Sequence, residues 1–135
     1  MIIFLPIHYM VHRILPSDPN PPILELGPSE LDYEFVKFGL QKWPWKSAFL
    51  YGGLVVCVGL HMVEGMAIIW NTYLVSTAGR LKESSRNLRI GGVLMGMVAP
   101  TLAGLVAIGT EPSMVFASAA KRFESIFLSS WAYRL

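Results

Sequence analysis

From residue 47 to residue 74 the chain carries a single charged side chain, Glu64. An uncharged run of that length is long enough to cross the ~30 Å hydrocarbon core of a bilayer as one helix with some tilt. A second uncharged apolar run covers residues 90–110. Lipid offers no hydrogen bonds to an open backbone, so segments of this kind are α-helical. The composition agrees: 53% of residues are hydrophobic and the mean hydropathy is +0.49, too apolar for a water-soluble domain of this size. The fold class expected is therefore an all-α integral membrane protein, a bundle of two full spans (residues 47–76 and 88–110) and one partial span, with interfacial helices.

The partial span is residues 1–15, a helix of ~22 Å at 1.5 Å per residue. It ends at Pro16, and its shortness suggests a start within a longer helix. No basic residue precedes its apolar run, so it does not read as a signal peptide. Pro16, Pro19, Pro21, Pro22 and Pro28 then enforce an extended, non-helical connection. Ser29 reads as the N-cap of a short amphipathic helix, with acids in its first turns and Lys37 and Lys42 near its end. Trp43, Trp45 and Lys46 are interfacial anchors at the end of this 16–46 segment. A weaker helix at 113–133 has Lys121, Arg122 and Glu124 in its middle and reads as peripheral. Basic residues flank the spans at both ends, so loop charge assigns no orientation. In the second full span Gly92, Gly96, Pro100 and Gly104 recur every four residues. Such a stripe predicts close helix packing, within the bundle or against a partner or cofactor.

A net charge of +2 with scattered basic residues excludes a nucleic-acid surface. Cys57, the one cysteine, sits in an apolar run as a small core residue. The residues able to carry chemistry are few. His61, Glu64 and Gly65 share one side of the first full span. An ionised acid at a helix centre costs about 2.5–3.5 kcal/mol, so Glu64 is expected as a buried polar group, protonated, paired or turned inward. His8 and His12 lie one turn apart on the partial span, followed by Arg13. Two helices each offering an imidazole are able to ligate a b-type haem, with His61 and His8 or His12 on the iron and Arg13 on a propionate. Gly52, Gly53, Gly59 and Gly65 would then leave room for the macrocycle. The alternative is that His61 hydrogen-bonds a neighbouring carbonyl or Glu64, and that His12 and Arg13 end a helix at the interface. No paired carboxylates, Cys/His zinc spacing, phosphate loop or nucleophile–base pair occurs, so no stand-alone enzyme is expected.

The stretch Ser29-Glu30-Leu31-Asp32-Tyr33-Glu34-Phe35-Val36, the helix with Leu60-His61 and Glu64-Gly65, and Ile69-Trp70-Asn71 resemble a known family. It is the transmembrane domain of the fungal mitochondrial outer-membrane adaptors that suppress loss of the ER–mitochondria tether. The likeness covers about residues 6–76, and His12-Arg13 before Pro16 fits the preceding family helix. More distantly, His12-Arg13 and His61 with Gly65 resemble the haem-binding membrane anchors of succinate dehydrogenase and fumarate reductase. The chain departs from those anchors around Trp70-Asn71 and at Glu64. The first resemblance implies a non-enzymatic adaptor or scaffold in lipid homeostasis, contacting membrane lipids, other membrane subunits and a bridge-like lipid-transfer protein. The second implies a b-haem anchor subunit of a respiratory oxidoreductase in the inner membrane. An accessory subunit of a larger membrane complex is a third expectation. Among these residues the only candidate recruiting peptide is the proline-rich connection 16–28.

Overall fold

The computed structural model describes residues 2–74, 79 and 85–135. Residues 75 and 76 of the expected first span, and Arg80, Lys82 and Glu83 of the basic connection, lie outside the described residues. Helix α1 (Phe4–Tyr9) runs on through a π turn (Met10–Ile14) into a 3₁₀ turn (Leu15–Ser17). After the proline-rich connection, a 3₁₀ turn (Pro28–Glu30) leads to α2 (Tyr33–Lys42) and α3 (Pro44–Ile69), which continues as a π turn (Trp70–Leu74). Helix α4 (Arg86–Val93), a π turn (Leu94–Val98) and α5 (Ala99–Thr110) form the second long rod. Helices α6 (Ala117–Ser129) and α7 (Trp131–Arg134) close the chain.

The irregular turns follow from proline. Pro100 has no N–H to donate, and its ring crowds the carbonyl four residues back, so the wide turn at Leu94–Val98 lets the rod continue without a break. The same device, the π turn at Met10–Ile14, precedes Pro16 in the first helix. At Trp43 the chain leaves helical geometry (φ −130°, ψ 66°) because Pro44 excludes the α region for the residue before it. Pro44 then sits in the first turn of α3, where its missing N–H costs nothing. One residue thus joins α2 to α3 at a corner. Ser47, fully buried, ties that corner by donating to the carbonyl of Gly39 at 2.7 Å.

Two stretches are long and apolar enough to span a membrane, Pro44–Leu74 and Arg86–Thr110. Only 17% and 6% of their apolar windows are buried, which is the reverse of a core helix in a soluble protein and leaves their side chains facing lipid. They pack as a hairpin. A Cβ on Gly59 would meet Val98 at 2.9 Å, and one on Gly52 would meet Leu102 at 3.6 Å. Further along, Glu64 pairs with Arg86 at 2.8 Å. The partial span lies across the hairpin with the Phe4 ring seated directly on Gly53.

The buried core sits at one end of this hairpin and is largely aromatic. Phe35 and Phe127, both fully buried, stack at 4.7 Å with their planes 16° apart, and Phe123 meets Phe35 edge-on at 5.1 Å. Ile7, Val11, Ile23, Leu26, Ile126 and Tyr133 complete it.

The helix within 113–133 does more than lie at an interface: as α6 it supplies Phe123, Ile126 and Phe127 to the core, because its apolar face matches that of α2. Two expectations change. Asp32, not Ser29, caps α2, accepting from the Glu34 N–H at 2.9 Å, since Pro28 sets up a 3₁₀ turn first. The proline-rich connection is folded back rather than extended. Leu26 N–H donates to the Pro16 carbonyl and Glu25 N–H to that of Asp18, both at 2.8 Å. Arg122 donates to the carbonyls of Ile23 (2.7 Å) and Leu24 (3.1 Å), holding Leu24 and Glu25 in the left-handed region, at φ 56° and 47°.

The glycine stripe is also relocated. Cβ atoms built at Gly92, Gly96 and Gly104 meet nothing within 4 Å, so these residues face outward and the packing glycines are Gly39, Gly53 and Gly59. Gly39→Ala would bring a Cβ to 2.7 Å of Phe127 Cζ, and this buried ring has nowhere to move. We expect Gly39→Ala to destabilise the detergent-solubilised protein by about 1–3 kcal/mol through overpacking. Gly96→Ala, in open helix, should be neutral or stabilising by up to about 1 kcal/mol, as read by denaturant titration of helical ellipticity.

Candidate functional site

Polar side chains gather where α1 crosses α3. His8 and His12 face the same way one turn apart, with ring centroids 4.3 Å apart. The Tyr51 hydroxyl lies 3.1 Å from His12 Nε2. Tyr51 is buried, so its O–H is best satisfied by donating to that nitrogen, which puts the His12 proton on Nδ1. One turn below, the hydroxyls of Ser47 and Tyr133 are 3.3 Å apart, and burial pushes the Tyr133 phenol up from its ordinary value. Lys46 donates to the Tyr133 carbonyl at 3.1 Å. The column links the first helix, the hairpin and the C-terminal turn. Beside it opens a cleft of about 350 Å³ lined by Leu5, His8, Tyr9, His12, Arg13, Pro28 and Leu31.

His61 is not part of this cluster. It lies ten residues beyond Tyr51 on α3, ~15 Å along the axis, and its side chain is exposed. Glu64, one turn on, is half-exposed and held by Arg86 Nε rather than buried as a lone acid. Both residues lie within the long apolar stretch Pro44–Leu74. Arg86 opens the second rod, so Glu64 meets a cation where the two rods face each other, and an ion pair costs less than a lone acid. Gly65 faces open space.

These placements bear on the haem expectation. Six-coordinate ligation needs two imidazole nitrogens on opposite sides of one plane, each ~2 Å from iron. His8 and His12 lie against each other on one helix face, with ring planes tilted by 31°, and His61 is remote from both. The surface expected to cradle a macrocycle is filled by the chain itself, Phe4 over Gly53 and Val98 over Gly59. The residues as placed do not fit a bis-histidine haem within this chain.

A second polar group was not anticipated. Lys37 is buried, with 6% of its side chain exposed, yet it bonds Glu34 at 2.7 Å and Glu111 at 3.3 Å. Glu34 also accepts from the Met114 N–H at 3.1 Å. The network pins α2 to the turn after α5. Only the i, i+3 spacing of Glu34 and Lys37 was visible in sequence; the approach of residues 111–114 is tertiary. The Lys37 ammonium, with Met114 N–H, holds the Glu34 carboxyl below its usual range, and Glu34 raises Lys37 against the opposing effect of burial.

A two-helix membrane hairpin closed at one end by an aromatic core defines this chain as a small α-helical integral membrane domain. The chain belongs to the family of the MDM10-complementing protein 1 transmembrane domain, whose family model matches residues 3–121. No curated protein and no solved structure matches it.

Two outcomes follow from this geometry. Tyr51→Phe should lower stability by about 1–3 kcal/mol, because it strips a buried imidazole nitrogen of its partner, with helical content unchanged in circular dichroism. The second concerns pH. The depressed Glu34 contributes stability that is complete above its ordinary pKa of 4.5 and is lost as pH falls through its lower folded value. The raised Lys37 contributes stability that is complete below 10.5 and is lost as pH rises through its higher folded value. Thermal unfolding should therefore show no contribution to its pH dependence from this pair between about pH 5.5 and 9.5. Lys37→Met should reduce the loss seen below pH 4.5 by returning Glu34 toward its ordinary pKa.

Proposed function

We propose that this chain is a non-enzymatic adaptor or scaffold of the mitochondrial outer membrane, acting in lipid homeostasis. The observation that carries the reading is the family match across residues 3–121, whose description names complementation of MDM10. The disposition of polar groups supports it: Lys37, Glu34, Ser47 and Arg122 are committed to holding helices and connections together. Among the described residues no group of three or more His, Cys, Asp or Glu gathers as a metal site. The exposed flanks of both rods offer a large apolar surface to lipid and neighbouring membrane subunits. A bridge-like lipid-transfer protein is the partner this reading carries. The connection 16–28 is a poor recruiting peptide as folded, since Ile23 and Leu26 are buried and Arg122 holds its backbone; recruitment is better assigned to other exposed segments.

The test is expression of the chain in cells lacking MDM10, with its location read by fractionation and protease protection. The expected result is insertion in the mitochondrial outer membrane and partial recovery of growth and mitochondrial lipid composition. Stable insertion elsewhere, or correct insertion with no recovery at wild-type levels of protein, would overturn the reading.

A further inference from the structure

The polar side of the cleft beside α1 carries donors and no acid. Its polar members are Arg13, Tyr9, His8 and His12, and no carboxylate lines it. Among the described residues no acid pairs with Arg13, although Lys37, Lys42, Arg86 and Arg122 each have an acidic partner. The two imidazoles present donors. His12 carries its proton on Nδ1 if Tyr51 donates to Nε2, as argued above. His8 Nδ1 is closed off from solvent without a hydrogen-bond partner. An orphaned buried N–H is rarer than an unpaired lone pair, so the His8 proton belongs on Nε2. Guanidinium, phenol and imidazole N–H groups facing one cleft, with no acceptor acid among them, suit an anion with several oxygens.

The position of the cleft says where that anion comes from. Its remaining wall is apolar, formed by Leu5, Pro28 and Leu31. Leu5 continues into the exposed apolar end of the first helix, where Ile2 is 92% and Ile3 63% exposed. Arg13 lies one turn before the point where this helix leaves for the folded connection, at the level where a partial span meets headgroups. An anion with an apolar tail fits both halves of the wall. A free anion uses only one.

We propose that this cleft binds the phosphate headgroup of an anionic membrane lipid, with Arg13 as principal contact, Tyr9, His8 and His12 as donors, and the acyl chains along Leu5 and the exposed end of α1. The lining offers a quaternary ammonium no carboxylate and sets Arg13 against it, so a bare phosphomonoester headgroup is preferred to phosphocholine. The site does not depend on the adaptor reading and would hold whatever partner the domain has.

The experiment uses the full chain in detergent micelles doped with phosphatidic acid or phosphatidylcholine of matched acyl chains, with bound lipid read by native mass spectrometry. Phosphatidic acid should be retained about tenfold or more over phosphatidylcholine, as expected for charge-assisted hydrogen bonds. Arg13→Gln should abolish most of that preference, and Lys121→Gln, an exposed cation on α6, should leave it intact. If Arg13→Gln loses helical signal, Arg13→Lys takes its place; it keeps the charge without the bidentate fork and should lose a few-fold of the preference. Equal retention of the two lipids, an undiminished preference in a folded Arg13 variant, or an equal loss in Lys121→Gln would each overturn the site. Displacement of phosphatidic acid by equimolar inorganic phosphate would show that free phosphate, not lipid, is the ligand, and overturns the assignment to a lipid.

Discussion

The contact on which this structure turns is that of the Phe127 ring with the bare Cα of Gly39. Any side chain at 39 would strike that ring, so α6 can reach α2 only because the residue is glycine. Phe127 in turn stacks on Phe35 and touches Trp43 and Tyr133, tying α6, α2, the α2–α3 corner and the last turn into one aromatic body. Aromatic pairs of this kind are worth about 0.5–1.5 kcal/mol each beyond their burial. The hairpin has few buried side chains of its own, and lipid supplies no hydrophobic drive to bring two apolar rods together. The rods are held where the aromatic body holds their near ends, by the fit of Val98 on Gly59 midway, and by the Glu64–Arg86 pair at the far end.

This division of labour explains where the polar groups are. Charged and hydroxyl side chains concentrate at the aromatic end, where irregular backbone must be satisfied. Arg122 serves carbonyls of the connection, Gln41 donates to the Glu111 carbonyl at 2.6 Å, and Ser47 answers Gly39. These are obligations created by the folded connection 16–28 and by the two corners at Trp43 and after Thr110, not spare chemistry. The His8–His12–Tyr51 column differs, because its two histidines also line an open cleft. The proposed lipid site and the structural network are thus adjacent but separate in function.

The composition and the two long uncharged runs fix the class of fold, because a backbone in hydrocarbon must satisfy its own hydrogen bonds and a 30 Å core dictates helix length. The corner before Pro44 and the wide turns before Pro16 and Pro100 likewise follow from local geometry that each proline imposes. A short motif carried the family, and the family match extends well past it, to residue 121.

Tertiary structure decided everything that depends on register between helices distant in sequence. Three histidines and a glutamate at helical spacing are compatible with one inward-facing cluster or with two separate sites. Which is realised depends on how far α1 reaches along α3 and where Arg86 falls beside it, and no periodicity encodes either. The glycine stripe made the same point in reverse. Spacing of four marks one face of a helix, but only the neighbours determine whether that face meets protein or lipid, and here Gly92, Gly96 and Gly104 face outward while Gly39, Gly53 and Gly59 carry the contacts. Helix α6 looked peripheral because its charges lie in its middle; its burial required Phe35 and Gly39, some 90 residues earlier, to offer a complementary face. Local sequence therefore determined which segments are helical and which enter the membrane, since those depend on hydrogen bonds and transfer energies within each segment. The pairing of faces, and with it the site, was decided only by packing between segments.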